Sequence, residues 1–255
     1  MNMPDPVVQR IEAILFDMNG TLRTREPHQP TQRAATRRML ELLGKNEATE
    51  AYWEELTRRF KAYGHWAQKN LIQLSEKEIW TGWILPDVPP GQIEAVAAEL
   101  TLAWSERKGR MVPKAGAEGV LVELKRRGYR LGVISNSMSS LDIPRFLDAC
   151  GWKEHFKVVV LSSSVKYRKP APEPFLEAVR GMNIEPGQCV YLGNRISKDM
   201  VGCKRAGFAL GIILEPTGGP RPDGQDPTVQ PDLVIHSISE LLDIFPGRIP
   251  LDKTV

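Results

Sequence analysis

The stretch Ile11-Glu12-Ala13-Ile14-Leu15-Phe16-Asp17-Met18-Asn19-Gly20-Thr21-Leu22 decides the fold. Its apolar run ends abruptly at Asp17, and a Gly-Thr turn follows. Such a run predicts a buried strand of an open α/β sheet, and these sheets place their chemistry at the carboxyl ends of the strands. Asp17 is therefore the first candidate catalytic group. Asn19 stands two residues later, where a second acid would complete a pair of carboxylates.

Six short apolar runs bounded by turn residues predict strands in this chain. They cover residues 13–16, 130–135, 158–161, 189–192, 209–213 and 233–235. Helical patterns separate the later runs and cover residues 116–127, 172–180, 198–206 and 238–244. Strands that alternate with helices predict an α/β fold, a parallel sheet with helices on both faces. The stretch 215–231 is dense in Pro and Gly and predicts a surface loop.

The stretch from residue 28 to residue 110 contains no convincing strand. It predicts helices over 31–43, 48–68, 75–85 and 91–108, and it holds five of the six tryptophans. We therefore expect a helical cap domain over 28–110, inserted into a core domain that is formed by 1–27 and 111–255. The tryptophans predict the core of this small bundle, and the lining of a substrate pocket is the alternative.

Bulk composition excludes several classes of protein. The net charge of the 255 residues is +3, and no run of five or more basic residues indicates nucleic-acid binding. No stretch approaches the ~20 apolar residues that a membrane-spanning helix needs. The first ten residues lack the pattern of a signal peptide, so we expect a cytoplasmic protein. The remaining expectation is a small-molecule substrate; the sequence does not indicate an oligomeric state.

Polar side chains follow three of the predicted strands or precede a helix. They lie in the segments 17–22, 135–137, 167–175 and 191–199. Because the carboxyl ends of parallel strands meet at one edge of a sheet, we expect these segments to converge there. A carboxylate, a hydroxyl, a lysine and a second acid would then share one crevice.

Taken together, the four segments resemble the motifs of the haloacid dehalogenase-like superfamily, whose fold is a Rossmann-like parallel sheet with an inserted helical cap. The resemblance implies that Asp17 is a nucleophile that becomes covalently attached to the substrate. It implies that Ser135 binds the transferred group and that Lys169 steadies negative charge. It also implies that Asp199 helps to hold a metal or to orient the lysine. We further expect substrate contacts from Thr21, Arg23 and Asn136.

Two positions depart from the phosphatases of this superfamily. Asn19 replaces the general acid and base, and an amide cannot change its protonation state. Loss of such a group typically costs ~10²–10⁴-fold in rate. Asn194 replaces an acid that binds Mg²⁺. The resemblance thus implies a weakened Mg²⁺ site, whose candidate ligands are Asp17, Asn19, Asn194 and Asp199.

Three interpretations stay open from the sequence. The first and preferred one is a slow or specialised phosphohydrolase that acts on a small molecule. The second is a metal-independent hydrolase of the dehalogenase type, whose leaving group departs without a proton. The third is a non-catalytic protein that binds a ligand or a partner. Asp17, Ser135 and Lys169 favour catalysis, because a chain without catalysis has no physical need for all three.

Overall fold

The computed structural model describes residues 5–215 and 228–248. In chain order the strands are β1 (Ala13–Phe16), β2 (Arg23–Glu26), β3 (Arg110–Pro113), β4 (Arg130–Ser135), β5 (Phe156–Leu161), β6 (Cys189–Gly193), β7 (Leu210–Leu214) and β8 (Leu233–Ile235). The helices are α1 (Asp5–Arg10), α2 (Gln29–Leu42), α3 (Glu50–Asn70), α4 (Glu76–Ile79), α5 (Pro90–Ile93), α6 (Ala97–Glu106), α7 (Ala117–Arg126), α8 (Asp142–Ala149), α9 (Ser162–Val165), α10 (Glu173–Met182), α11 (Val201–Arg205) and α12 (Leu241–Ile244). Two π-helical turns, Trp80–Ile84 and Ile196–Met200, follow α4 and precede α11.

The central sheet has six parallel strands in the order β5-β4-β1-β6-β7-β8. The strand β1 lies between β4 and β6, and Phe16 at its end is in register with Val133 and Leu192. The carboxyl ends of these three strands therefore lie side by side at one edge of the sheet. All six strands that the apolar runs predict are confirmed, as is the α/β class.

Both faces of the sheet are buried, as the continuous apolar runs require. Ile14 and Phe16 pack into a cluster on one face, together with apolar residues of α7 and α12. Ala13 and Leu15 pack into a second cluster on the other face, together with residues of α10 such as Phe175. The alternation of β1 side chains between two cores explains why this strand has no polar residue before Asp17.

The helical stretch from α2 to α6 has an apolar cluster of its own. Trp53, Trp80 and Trp104 are buried in it, and Phe60 stacks on Trp104 with the ring centroids 4.3 Å apart. These three tryptophans belong to the core of the helical stretch, as expected, whereas Trp66 and Trp83 pack at its edge and are half-buried. The predicted helix over 75–85 is α4 with its π-helical turn, and the one over 91–108 is divided between α5 and α6.

The sequence analysis missed two features at the junction between the helical stretch and the sheet. The strands β2 and β3 pair antiparallel in a separate two-stranded sheet. Three of the four residues of β2 are charged, so no apolar alternation marks that strand. The helix α8 was also missed, because Pro144 interrupts its pattern.

The residues that the structure describes include no helix long and apolar enough to cross a membrane. The predicted surface loop over 215–231 falls largely on residues 216–227, which lie outside the described part of the chain.

Candidate active site

Asp17 lies at the carboxyl end of β1, where the sheet holds its backbone. Its amide nitrogen donates to the carbonyl of Leu192, 2.9 Å away, and this bond continues the parallel ladder beyond the strand. The side chain is 7% exposed, and its Oδ1 accepts a hydrogen bond from Ser135 Oγ at 3.3 Å. Burial raises the pKa of the Asp17 carboxyl, and the nearby Lys169 opposes that shift.

The ammonium of Lys169 is enclosed by oxygen atoms from three strands and a turn. Its Nζ lies 2.8 Å from Asp17 Oδ1 and 2.6 Å from Asp199 Oδ1. It also contacts the hydroxyl of Tyr191 at 2.7 Å and the carbonyl of Ile134 at 3.1 Å. Burial disfavours the charged ammonium, but the two carboxylates outweigh burial and raise the pKa of Lys169. The lysine is therefore a fixed positive charge beside Asp17.

Asp199 lies in the π-helical turn after β6 and uses both carboxylate oxygens within the protein. Oδ1 contacts Lys169, and Oδ2 accepts from the backbone amides of Asn194 and Arg195, each at 3.0 Å. Asp199 thus orients the lysine, and this arrangement gives no support to its predicted role as a metal ligand. Gly193 allows the close approach, because a Cβ at that position would lie 2.4 Å from Asp199 Cγ.

Of the two residues that replace expected acids, Asn194 contacts the backbone of Asn19 and not its side chain. Asn194 Nδ2 donates to the backbone carbonyl of Asn19 at 3.3 Å. That carbonyl and the side chain of Asn194 are two of the oxygen-bearing groups that a cation would need. A hard cation such as Mg²⁺ requires anionic oxygen ligands that repay its dehydration. Among the described residues no group of three His, Cys, Asp or Glu side chains could hold a metal.

The predicted Mg²⁺ site therefore does not fit the residues as they are arranged. Two carboxylates lie near these residues, and both contact Lys169, Asp17 through its Oδ1 and Asp199 through its own Oδ1. The Asn194 side chain turns an N–H group, not an oxygen, toward the Asn19 carbonyl, which is one of the predicted ligands. Where the sequence predicts a weakened Mg²⁺ site, the structure has a hydrogen bond between two neutral groups, the Asn194 side chain and the Asn19 carbonyl.

Arg23 does not contact a ligand-accessible surface, contrary to the sequence prediction. The side chain is fully buried, and its two terminal nitrogens donate to Asp142 at 3.1 and 2.9 Å. Its Nε donates to Asn19 Oδ1 at 2.9 Å. The guanidinium also lies 5.0 Å from the ring centroid of Phe146. Arg23 thus fixes the orientation of the Asn19 amide rather than binding a substrate.

Asn136, another predicted substrate contact, bonds within the protein, whereas the hydroxyl of Thr21 is left without a partner among the described residues. Asn136 Nδ2 donates to the carbonyl of Lys169 at 3.0 Å, and its Oδ1 accepts from the amide of Lys169 at 2.8 Å. Asn136 therefore holds the backbone of the lysine. Thr21 is fully buried beneath the turn in which Gly20 has φ +90°, and its hydroxyl has no partner among the described residues.

Two residues of the site were missed by sequence reasoning. Tyr191 lies on β6, and its hydroxyl donates to the carbonyl of Ile134 at 2.7 Å. Burial raises the pKa of Tyr191 well above its usual value, so it stays protonated. A tyrosine within a fully buried apolar strand was the available signal. Asp142, the partner of Arg23, gave no signal because it lies 119 residues away in the sequence.

The helical stretch contacts the core loops beside Lys169. The amide of Arg168 donates to the carbonyl of Leu71 at 2.9 Å, and the amide of Gln73 donates to the carbonyl of Lys166 at 2.7 Å. Further along, Glu76 accepts from the amide and the hydroxyl of Ser140 at 3.0 and 2.8 Å. The segment 71–76 therefore covers the loop that carries the lysine.

This geometry matches a known family. The profile of the haloacid dehalogenase-like hydrolases matches residues 11–207, which include Asp17, Ser135, Lys169 and Asp199. The chain belongs to the haloacid dehalogenase-like hydrolase family. The resemblance that the four polar segments indicate is thereby confirmed.

The relatives of this chain include phosphatases of small molecules. A glyceraldehyde 3-phosphate phosphatase from Methanopyrus kandleri is 28% identical over 236 residues, which cover 92% of this chain and 97% of the relative. A phosphoserine phosphatase from Thermus thermophilus is 25% identical, with 91% and 98% of the two chains covered. A solved 2-haloacid dehalogenase from Pseudomonas syringae has a TM-score of 0.64 at 21% identity, with 92% and 97% covered. This last likeness shows the fold alone.

Replacement of Gly193 by alanine tests the packing of Asp199. The new Cβ would collide with the carboxylate at 2.4 Å, so we expect Gly193→Ala to lower the free energy of unfolding by about 1–3 kcal/mol. Urea denaturation measures this change. Gly187→Ala is the matched control, because no atom lies within 4 Å of its added Cβ. Equal stability of the two variants would show that the turn after β6 adapts.

Isothermal titration with Mg²⁺ tests whether the amide pair excludes the cation. The unmodified protein is expected to show no saturable heat in the millimolar range, since carboxylates that are already paired with Lys169 cannot offset the dehydration of Mg²⁺. Asn194→Asp is expected to introduce binding, because it adds an anionic oxygen beside the Asn19 carbonyl. Saturable binding of Mg²⁺ to the unmodified protein would contradict the conclusion that these residues do not fit the cation. It would show that the Asn194 amide turns its oxygen to the ion.

Proposed function

We propose that this protein is a slow phosphohydrolase in which Asp17 attacks the phosphoryl group of a small-molecule substrate. The observation that carries the proposal is the contact of Lys169 with Asp17 at 2.8 Å, with Ser135 on the same carboxylate oxygen. The ammonium favours an ionised nucleophile and reduces its repulsion from an anionic phosphoryl group. The phosphatases among the relatives support this function over the dehalogenase and non-catalytic alternatives.

The first half of the reaction needs no proton from the protein when the leaving group is weakly basic. Oδ1 of Asp17 is held by Lys169 and Ser135, which leaves Oδ2 to attack phosphorus. A bond forms between Oδ2 and phosphorus, and the bond to the leaving oxygen breaks with its electron pair. A phenolate or a carboxylate departs readily as an anion, whereas an alkoxide requires a proton. Asn19 cannot supply that proton.

The second half of the reaction limits the rate. Water must attack phosphorus of the aspartyl phosphate and lose a proton, and this returns the Asp17 carboxylate and releases inorganic phosphate. Asn19 stands where a base would take the proton, and its oxygen already accepts from Arg23. We therefore infer that the phosphorylated protein accumulates. No step of this scheme passes through a metal.

The helical stretch supplies the remaining part of the proposal. It has its own core and covers the lysine loop through the segment 71–76. We propose that residues 28–110 act as a cap that excludes water from the phosphoryl site, and that residues 1–27 and 111–255 form the catalytic core.

Rapid mixing with 4-nitrophenyl phosphate tests the division into a fast and a slow step. We expect a burst of nitrophenolate close to one equivalent per protein, followed by a slow steady rate, because the phenolate leaves without a proton. Mass spectrometry of the quenched protein is expected to show one added phosphoryl group. Asp17→Asn should remove both signals.

An alkyl phosphate should react ~10²–10⁴-fold more slowly than 4-nitrophenyl phosphate, since its leaving group needs an acid. A linear time course without a phosphorylated species would refute the proposal.

Restoring an acid at position 19 tests the role of Arg23. Asn19→Asp alone is expected to give little gain on an alkyl phosphate, because Arg23 Nε would donate to the new carboxylate and hold it ionised. The triple variant Asn19→Asp, Arg23→Met and Asp142→Asn removes the buried ion pair together, so no charge is left unpaired. We expect it to be at least ~10²-fold faster than the single variant.

The matched control for this experiment is the double variant Arg23→Met and Asp142→Asn with Asn19 intact. It reports any change that the packing alone causes, and circular dichroism confirms that each variant is folded. A single Asn19→Asp variant as fast as the triple variant would show that Arg23 does not govern the proton at this position.

A further inference from the structure

Two cationic side chains lie on the loops that carry Lys169 and Asp199, and neither forms an ion pair with a carboxylate among the described residues. Arg168 immediately precedes Lys169, and Lys198 immediately precedes Asp199. The contact between Lys169 Nζ and Asp199 Oδ1 at 2.6 Å brings the two loops together. The neighbours of the ion pair, Arg168 and Lys198, are therefore presented on adjacent loops at the same edge of the sheet.

The charge of Arg168 is poorly satisfied within the protein. One terminal nitrogen donates to the side-chain oxygen of Gln73, a neutral acceptor. Its Nε is buried and has no hydrogen-bond partner among the described residues. Burial lowers the pKa of Arg168. A buried guanidinium donor without an acceptor is costly, and most such groups in folded proteins are paired.

Lys198 is half-buried and makes no ion pair with the described residues. Burial lowers the pKa of Lys198, and the positive charges of Arg168, Arg195 and Lys169 lower it further. Asp199, the nearest opposing charge, already contacts Lys169 with one oxygen and two backbone amides with the other. The loops thus bring the charges of Arg168 and Lys198 close enough to repel each other, and no carboxylate of the described residues pairs with either.

The helical stretch contacts Arg168 and forms no ion pair with it among the described residues. Arg168 is bonded through its backbone to Leu71 and through its side chain to Gln73. The covering segment 71–76 reads Leu-Ile-Gln-Leu-Ser-Glu, and its one acidic residue, Glu76, accepts hydrogen bonds from Ser140. An anion that entered here would be shielded from water, and this strengthens its attraction to both cations.

We propose that Arg168 and Lys198 form a subsite for a second anionic group of the substrate, a carboxylate or a second phosphate, next to the phosphoryl group that Asp17 attacks. The subsite rests on the proposed function because it deepens the choice of substrate at the same site. It selects small phosphorylated acids or bisphosphates over phosphorylated neutral compounds. The guanidinium of Arg168 offers its unpaired Nε, and Lys198 offers a compact charge.

Binding of non-hydrolysable ligands tests the subsite without turnover. Methylphosphonate carries one anionic group, phosphonoacetate adds a carboxylate, and methylenediphosphonate adds a second phosphonate. Calorimetry on the full chain is expected to show at least one of the two larger ligands binding about tenfold more tightly than methylphosphonate. Whichever of the two binds more tightly identifies the second group as a carboxylate or a phosphate.

Two variants and a control assign any preference to these residues. Lys198→Met is expected to remove most of the tenfold preference, whereas Lys198→Arg retains it, and neither changes the affinity for methylphosphonate more than about twofold. Arg168→Met should act like Lys198→Met. Lys204→Met is the control, because that exposed lysine pairs with Asp232 on another part of the core.

The outcomes separate the subsite from the proposed function. Equal affinity for all three ligands, no detectable binding of the larger two, or a preference that survives both methionine variants would overturn the subsite. A preference that depends on Lys198, in a protein that shows no nitrophenolate burst, would uphold the subsite and refute the phosphohydrolase.

Discussion

The burial of the Lys169 ammonium is the constraint on which the rest of the site depends. A charge removed from water is tolerated when oxygen atoms replace its hydration, and here four of them do so. They come from β1, β4, β6 and the turn after β6. The strands must therefore end at one level, and Asp199 must reach back across Gly193. The nucleophile is fixed by the same contact, since Asp17 is one of the four.

The same contact also determines what surrounds the nucleophile. Lys169 and Asp199 are paired, and the residues that precede them, Arg168 and Lys198, are cationic and near enough for their charges to interact. Asn136 holds the backbone of Lys169 through both of its side-chain amide atoms, and this keeps the loop and its ammonium group in place. The proposed subsite of Arg168 and Lys198 therefore depends on the Lys169–Asp199 ion pair, which joins the two loops, and a second anionic group of a substrate would offset its charge.

Sequence reasoning recovered the sheet and the four charged or hydroxyl groups of the site because both have local signals. Short apolar runs mark buried strands, and polar residues at their ends mark the functional edge. Sequence reasoning failed where the partner of a side chain is remote in the sequence, and where a strand is formed mostly by charged residues. Arg23 was taken as a substrate contact because nothing local points to Asp142, and β2 has charged residues where a strand usually has apolar ones. The direction of the Asn136 side chain likewise depends on a tertiary contact.

Asn19 and Asn194, which replace two expected acids, are compatible with an unchanged net charge at the site. Asp17, Asp199 and Lys169 together carry one net negative charge. Acids at positions 19 and 194 would add two more negative charges, and a divalent cation would offset both. Replacing both acids by amides and the cation by an Asn194–Asn19 hydrogen bond leaves the same net charge. Asp17, the proposed nucleophile, therefore keeps its electrostatic environment without a metal, whereas the proton transfer that an acid at position 19 would perform has no substitute, because Arg23 holds that amide oxygen.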